Sequence, residues 1–245
     1  MGLYRKISAY YDLLFGLSAE EKTYFAGLGF SRNERVLDVG CATGGLALYL
    51  SDLAGEVIGI DLDQAMISEA VRKSSGKAGV SFKALDMRRI SGEFGDTCFD
   101  LVFCTGNTLA HLEGPEELDG FFSSVFSVLK YRGGFVLQIM NYDRILDQSV
   151  SELPPIENAS VKFKRRYEPA PDGRLRFDTE LTIRGREGVI RGSELLYPFR
   201  KSGIESAAAR AGFREGKYFS GFDRSEWSAS GRLLVGEFRK PGSVK

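Results

Sequence analysis

Histidine is nearly absent from this 245-residue chain, which carries His111 alone. Cysteine is scarce as well. Cys41, Cys98 and Cys104 are an odd number at scattered positions, with no spacing that fits a zinc site, so free thiols in a reducing cytoplasm are expected. An excess of charge is missing too: 33 basic and 33 acidic residues leave a net charge of zero. That balance argues against a general polyanion binder, because phosphate contacts supply most affinity for nucleic acid. No apolar run approaches membrane-spanning length. The opening residues Met1 to Lys6 lack the apolar core of a signal peptide, and Lys6 stands where a myristoylation motif carries serine or threonine. A cytoplasmic protein without a membrane partner is expected. No internal repeat or low-complexity segment is visible.

What is present is concentrated in Val36-Leu37-Asp38-Val39-Gly40-Cys41-Ala42-Thr43-Gly44-Gly45. A β-branched apolar run ends in an aspartate, and a small-residue turn leads directly into a helix. Small residues let the backbone come close to a ligand. Gly40-x-Ala42-x-x-Gly45 half-fits the dinucleotide fingerprint. S-adenosylmethionine is the other ligand that uses such a turn, and it brings a sulfonium and an ammonium group. A carboxylate at Asp38 attracts a cation and repels a pyrophosphate, which favours the sulfonium ligand.

Fixed distances further along agree. Glu56 to Asp61 reads as a second strand ending in an acid able to accept both hydroxyls of a ribose. Val80 to Met87 reads as a third strand ending near Asp86, placed for an adenine amine. A fourth strand, Phe99 to Cys104, opens into Thr105-Gly106-Asn107.

Between these strands the pattern is helical. Ser18 with Glu21 makes a capping box for a helix carrying Tyr24, Phe25 and Leu28, and Asp63 caps one with Met66, Ile67 and Ala70 on one side. After Pro115, apolar residues from Leu118 to Leu129 repeat at three- and four-residue steps, and Gly133-Gly134 is expected to stop the helix. Phe135 to Met140 is a buried fifth strand. Alternation of strands and helices predicts a doubly wound, mostly parallel α/β sheet over 18–150 and 199–240.

After Pro154-Pro155 the period changes to two. Val161, Phe163, Arg165 and Tyr167 alternate with charged residues. After Pro171-Asp172-Gly173 so do Leu175 to Ile183, and a turn at Gly185 to Gly188 leads into Val189 to Tyr197. Three antiparallel strands with one wet face follow, an insertion over 156–198 covering the crevice. Its free edge could pair with a second copy to make a homodimer. Ser202 with Glu205 is expected to start the last helix, and strands at 217–222 and 232–238 complete seven in the main sheet.

With these motifs in order, the chain resembles a class I S-adenosylmethionine-dependent methyltransferase over roughly residues 10 to 240. The family's acid-x-Gly-x-Gly-x-Gly is met by Asp38, Gly40 and Gly44, with Ala42 in the middle place. The resemblance implies a Rossmann-like seven-stranded sheet with an inserted antiparallel β cover, and S-adenosyl-L-methionine as cofactor. It places Asp38, Gly40, Cys41, Ala42 and Gly44 at the methionine part, Asp61 at the ribose and Asp86 with Met87 at the adenine, with Leu62 and Met66 also binding the cofactor. Thr105, Gly106 and Asn107 border the same crevice. Tyr10-Tyr11-Asp12 resembles an N-terminal lid segment that brings Tyr11 to the cofactor. Thr105 to Leu112, Gly133-Gly134 and Asn141-Tyr142-Asp143 are similar to the glycine and sarcosine N-methyltransferase branch. That likeness implies Asn141 and Tyr142 in the acceptor site.

Methyl transfer from a sulfonium is an in-line displacement with a good leaving group, so alignment and exclusion of water can outweigh acid–base catalysis. His111 is either a base or a structural or cofactor-contacting group at a loop–helix junction. Asn141 follows the fifth strand, where asparagine is also favoured for turn formation. The basic run Lys162, Lys164, Arg165 and Arg166 is either a solvated face or a site for a carboxylate or phosphate. Arg165 leads within it, because alternation puts it with Val161 and Phe163. The expected reaction is methyl transfer to a nitrogen or oxygen on a small molecule. The place after the fourth strand lacks the Asp/Asn-Pro-Pro-aromatic run of base-amine methyltransferases, and no proline precedes Cys104 as in cytosine C5 enzymes. A regulatory, non-catalytic S-adenosylmethionine binder would carry the same cofactor residues.

Overall fold

A computed structural model describes residues 6–214 and 216–243, so the expectations drawn from residues 1–5 lie outside the described residues. In chain order the elements are α1 (Tyr11–Phe15), α2 (Ala19–Ala26), β1 (Arg35–Val39), α3 (Gly45–Leu50), β2 (Glu56–Asp61), α4 (Gln64–Lys73) and β3 (Val80–Ala84). There follow α5 (Ile90–Phe94), β4 (Phe99–Cys104), α6 (Pro115–Val128), β5 (Leu129–Met140) and α7 (Tyr142–Asp147). The chain then forms β6 (Glu152–Glu157), β7 (Val161–Pro169), β8 (Leu175–Ile183) and β9 (Val189–Leu196), and returns through α8 (Lys201–Ala211), β10 (Lys217–Phe219) and β11 (Leu233–Arg239).

Seven strands form one sheet in the order β10-β11-β5-β4-β1-β2-β3. Neighbours from β5 to β3 run parallel, and β11 lies antiparallel to both β5 and β10. The order reverses between β1 and β4, and the carboxyl ends of strands at such a switch point open a crevice. The sheet is buried on both faces. Helices α6 and α8 pack over Phe121, Phe122, Phe135, Phe213 and Phe238 on one side, whose rings meet mostly edge to face. Each such ring contributes about 1.5–3 kcal/mol by burial. On the other side Tyr24, Phe25, Phe103 and Phe222 form the second core. The Ser18–Glu21 capping box and the Asp63 cap are both in place. Among the described residues no helix is long and apolar enough to cross a membrane.

Four strands, not three, make the cover, in the order β6-β7-β8-β9. The extra strand contains Pro154 and Pro155, a pair that removes two backbone donors from the chain. It is an edge strand, and its register shifts between Leu153 and Ile156, so neither proline owes the ladder an amide. One cover face buries Val161, Phe163, Tyr167, Leu175 and Leu181 while the other is wet, as the alternation predicts.

Three boundaries differ from expectation. Helix α6 ends at Val128, before Gly133-Gly134. Those glycines serve strand packing instead: a Cβ at Gly133 would meet Lys130 O at 2.8 Å, and one at Gly134 would meet Leu101 at 2.7 Å. The third strand stops at Ala84, because Asp86 caps the short 3-10 turn that follows. Ser202 does not cap α8. Asp143 of α7 accepts from Lys201 N at 2.9 Å and fills that role from a distance in sequence.

Candidate functional site

The turn after β1 is held by backbone bonds to the neighbouring strand: Gly40 N and Cys41 N both donate to Ile60 O, at 2.8 and 2.9 Å. Gly40 has φ +73°, and a Cβ there would lie 2.3 Å from the Thr108 side chain. Gly44 has φ +80°, and a Cβ there would meet the Phe82 ring at 2.6 Å. Ala42 also stands in the left-handed region, at φ +47°. The alanine replacement therefore adds backbone strain of about 1–2 kcal/mol as well as a methyl group. Its amide donates to Asp61 Oδ2 at 2.9 Å, which ties the turn to the acid ending β2.

Three carboxylates stand around this turn in different states. Asp38 is only 2% exposed and its Oδ2 has no hydrogen-bond partner. Burial, then the charge of Asp61, pushes its carboxyl up to about 7, against the Ala47 amide. Asp61 is also raised by burial, opposed by the amides of Asp63 and Ala42; Asp63 N donates to Oδ1 at 2.9 Å. Asp86 is held below the usual carboxylate range by the Arg88 guanidinium, whose Nη2 donates at 2.6 Å. Arg88 also bonds Glu117 at 2.9 Å.

Asp61, Asp86 and Arg88 border one cavity of about 860 Å³. Of the sequence-selected cofactor residues, Tyr11, Gly40, Ala42, Asp61, Leu62, Met66, Asp86, Met87 and Gly106 line it. Asp38 and Cys41 sit in the layer behind, both buried, and Gly44 packs on Phe82. Thr105 and Asn107 shape the facing loop. Thr105 O accepts from Thr108 Oγ1 at 2.7 Å, and Asn107 Oδ1 accepts from Met140 N at 3.0 Å. Tyr11 reaches the cavity because Asp12 beside it is clamped, accepting from Thr43 Oγ1 at 2.6 Å and Lys73 Nζ at 2.7 Å. Burial and the charges of Asp61, Asp38 and Asp12 push the Tyr11 phenol up, so it stays a neutral donor.

The other wall was mostly invisible in the sequence. His111, Leu112 and Glu113 from the loop after β4 meet Arg174 and Arg176 at the start of β8 and Ser193, Glu194 and Leu195 of β9. Burial lowers the His111 imidazole, while the charge of Glu194 acts in the opposite direction. Arg174 is paired with Asp172 at 2.6 Å, and Arg176 with Asp178 at 3.0 Å and with Glu168.

The sequence-selected acceptor residues lie elsewhere. Asn141 is fully buried, and its Nδ2 donates to the carbonyls of Ser228, Ala229 and Gly231 at 3.1, 3.3 and 3.0 Å. Tyr142 is also buried, with its hydroxyl accepting from Asn107 Nδ2 at 3.0 Å. Arg165 donates from Nη2 to Pro154 O at 2.7 Å, and its buried Nε has no acceptor. None of the three lines the cavity.

The arrangement fits one kind of ligand. A buried carboxylate oxygen without a partner calls for a cation, and Asp61 retains acceptor capacity for hydroxyls beyond its two amide bonds. Residues 36–133 match the family described as "Methyltransferase domain". The chain is 26% identical over 199 residues to a glycine/sarcosine N-methyltransferase of Aphanothece halophytica, covering 81% of the chain and 73% of that protein. It is 33% identical over 147 residues to phosphoethanolamine N-methyltransferase 1 of Zea mays, covering 59% of the chain and 26% of that protein. The chain thus spans between 26% and 73% of these relatives' lengths. A crystal structure of an S-adenosylmethionine-dependent methyltransferase from Clostridium acetobutylicum superposes with a TM-score of 0.78 at 18% identity, over 98% of this chain and 99% of that one. Residues 36–133 thus carry the match to a methyltransferase domain, within a fold shared with S-adenosylmethionine-dependent methyltransferases.

Proposed function

We propose that the protein transfers a methyl group from S-adenosylmethionine to a nitrogen or oxygen nucleophile on a small molecule. The observation that carries this reading is the shared cavity: Asp61 and Asp86 beyond β2 and β3, with Gly40 and Ala42 of the turn after β1, form one wall and the cover forms the other. At about 860 Å³ it is in the range of small-molecule sites, about 300–1,000 Å³. A closed roof suits a small acceptor better than a polymer. The relatives' names, which specify glycine, sarcosine and phosphoethanolamine, point the same way. The three cysteines are unpaired, which fits a reducing cytoplasm.

When bound, the cofactor supplies a methyl group on a positively charged sulfur that leaves as a neutral thioether. In this reading Asp38 answers the ammonium of its methionine part through the Oδ2 that has no other partner. Asp61 accepts from the ribose hydroxyls while its amide bonds hold the turn in place. Met87 and the Asp86 region border the adenine, with Asp86 already engaged by Arg88. Tyr11 stays a donor and excludes water from the methyl position. His111, kept neutral at physiological pH by burial, can take the acceptor's proton. Asn141 and Tyr142 serve by anchoring the strand-end loops, and Arg165 by packing under the cover.

A calorimetric titration with S-adenosylhomocysteine, followed by a methyl-transfer screen over small amines, amino acids and phenols, tests the reading. Binding with turnover on one of these classes is expected. Binding with turnover only on a protein or nucleic acid would overturn the small-molecule assignment.

A further inference from the structure

Glu194 lies more than eighty residues from His111 in sequence, on a different sheet, yet both face the same cavity. Their closeness is built in by the backbone. Tyr197 N, just beyond β9, donates to Ala110 O at 2.8 Å, so the end of the cover strand is bolted to the 3-10 turn Thr108–His111. That turn is packed from within, since Leu109 and Ala110 are fully buried. His111 therefore has a fixed base, and β9 brings a carboxylate to the same wall.

Other charged groups near the imidazole are otherwise engaged. Glu113, on the same loop, has its backbone amide donating to Glu117 Oε2 at 2.8 Å, and its charge acts on Arg174. Arg174, just before β8, and Arg176 of β8 have their own carboxylate partners outside the cavity. Across the cavity Asp86 is bound by Arg88, which also holds Glu117.

We infer that Glu194 is a positioning residue for His111, contributed by the cover to the proton-accepting apparatus of the core. This rests on the methyltransferase reading above. As the acceptor's lone pair bonds to the methyl carbon, the carbon–sulfur bond breaks with its electron pair going to the neutral thioether, and the acceptor's proton passes to the imidazole. The resulting imidazolium faces the Glu194 carboxylate, which holds the ring in place and favours its charged form. Burial alone would make His111 a weak base, and the direction of Glu194's influence opposes that. The cover is then more than a roof, because the base is complete only when β9 is seated.

The chain's single histidine makes the test clean, since one imidazole signal reports on this site alone. The untagged full-length protein would be titrated by NMR as wild type, Glu194→Gln and Glu194→Asp. The His111 titration should move to lower pH in Glu194→Gln and recover in part in Glu194→Asp. In turnover, Glu194→Gln should lower kcat about tenfold or more, with a smaller change in KM, and shift the acid limb of the pH profile in the same direction as the NMR titration. An identical His111 titration in wild type and Glu194→Gln overturns the inference, as does a shifted titration with unchanged kcat. S-adenosylhomocysteine affinity, measured on the same samples, separates the two levels. Unaltered cofactor binding with no change at His111 defeats this inference alone, whereas no cofactor binding by wild type defeats the proposed function.

Discussion

The two walls of the cavity are built on opposite plans. The cofactor wall comes from strand ends that follow one another in the chain, with its demands written into single residues: two left-handed glycines, a strained alanine and three acids. The cover wall comes from strands paired across antiparallel registers, and its charges are mostly neutralised by neighbours on the same sheet. A wall of the first kind is intolerant of change at a few positions. A wall of the second kind can exchange side chains without disturbing its partner, which suits a surface that selects among acceptors.

The sharpest way to break this contrast is at Gly40. Gly40→Ala places a Cβ 2.3 Å from the Thr108 side chain at φ +73°. It should destabilise the protein by about 3 kcal/mol or more and abolish detectable cofactor binding. Thr108→Ala in the same protein should restore part of the loss in a denaturant titration, because it removes the nearest atoms. Full stability in Gly40→Ala alone would mean the turn is not held as described.

Asp38 gives the next effect, through pH. Its folded-state pKa of about 7 lies above the unfolded value, so the native state binds more protons and the ligand-free protein loses stability as pH rises from about 4 to about 7. Asp38→Asn should flatten that slope and raise Tm at pH 8, while weakening S-adenosylhomocysteine binding. A Tm profile unchanged by the substitution would contradict the buried, unpartnered carboxylate.

Ala42→Gly sharpens the contrast from the other side. Relief of the left-handed strain is offset by the freedom glycine gains in the unfolded chain, so the net change in stability should stay within about 1 kcal/mol. The same one-methyl difference that is prohibitive at Gly40 is thus nearly neutral two residues later. Smallest of all should be Arg174→Ala on the cover. Loss of its solvent-screened pair with Asp172 should leave the denaturant midpoint nearly unchanged, and cofactor affinity should not move in a calorimetric comparison.

This difference between the walls also governs what could be read in advance. The parallel strands announce themselves as apolar runs ending in Asp38, Asp61 or Cys104, and local rules for turns and caps fix the cofactor side of the cavity. Seven strands and an antiparallel cover follow from the same patterns. Glu194, Arg174 and Arg176 were not legible, because only the register of β8 and β9 and the Tyr197–Ala110 bond bring them to the cavity. Asn141 misled for a related reason. An asparagine after a strand looks the same whether its amide faces a ligand or three backbone carbonyls supplied ninety residues later. Pro154-Pro155 misled because an edge strand with a shifted register tolerates what an inner strand does not.

The central claim is that the β1 and β2 acids form a site for S-adenosylmethionine. The most direct measurement is a calorimetric titration of S-adenosylhomocysteine into the wild type and Asp61→Ala. The account predicts binding by the wild type and a loss of about 1.5–3 kcal/mol for each ribose hydrogen bond removed in the variant. Equal affinity in the two proteins, or no binding by the wild type, would contradict it.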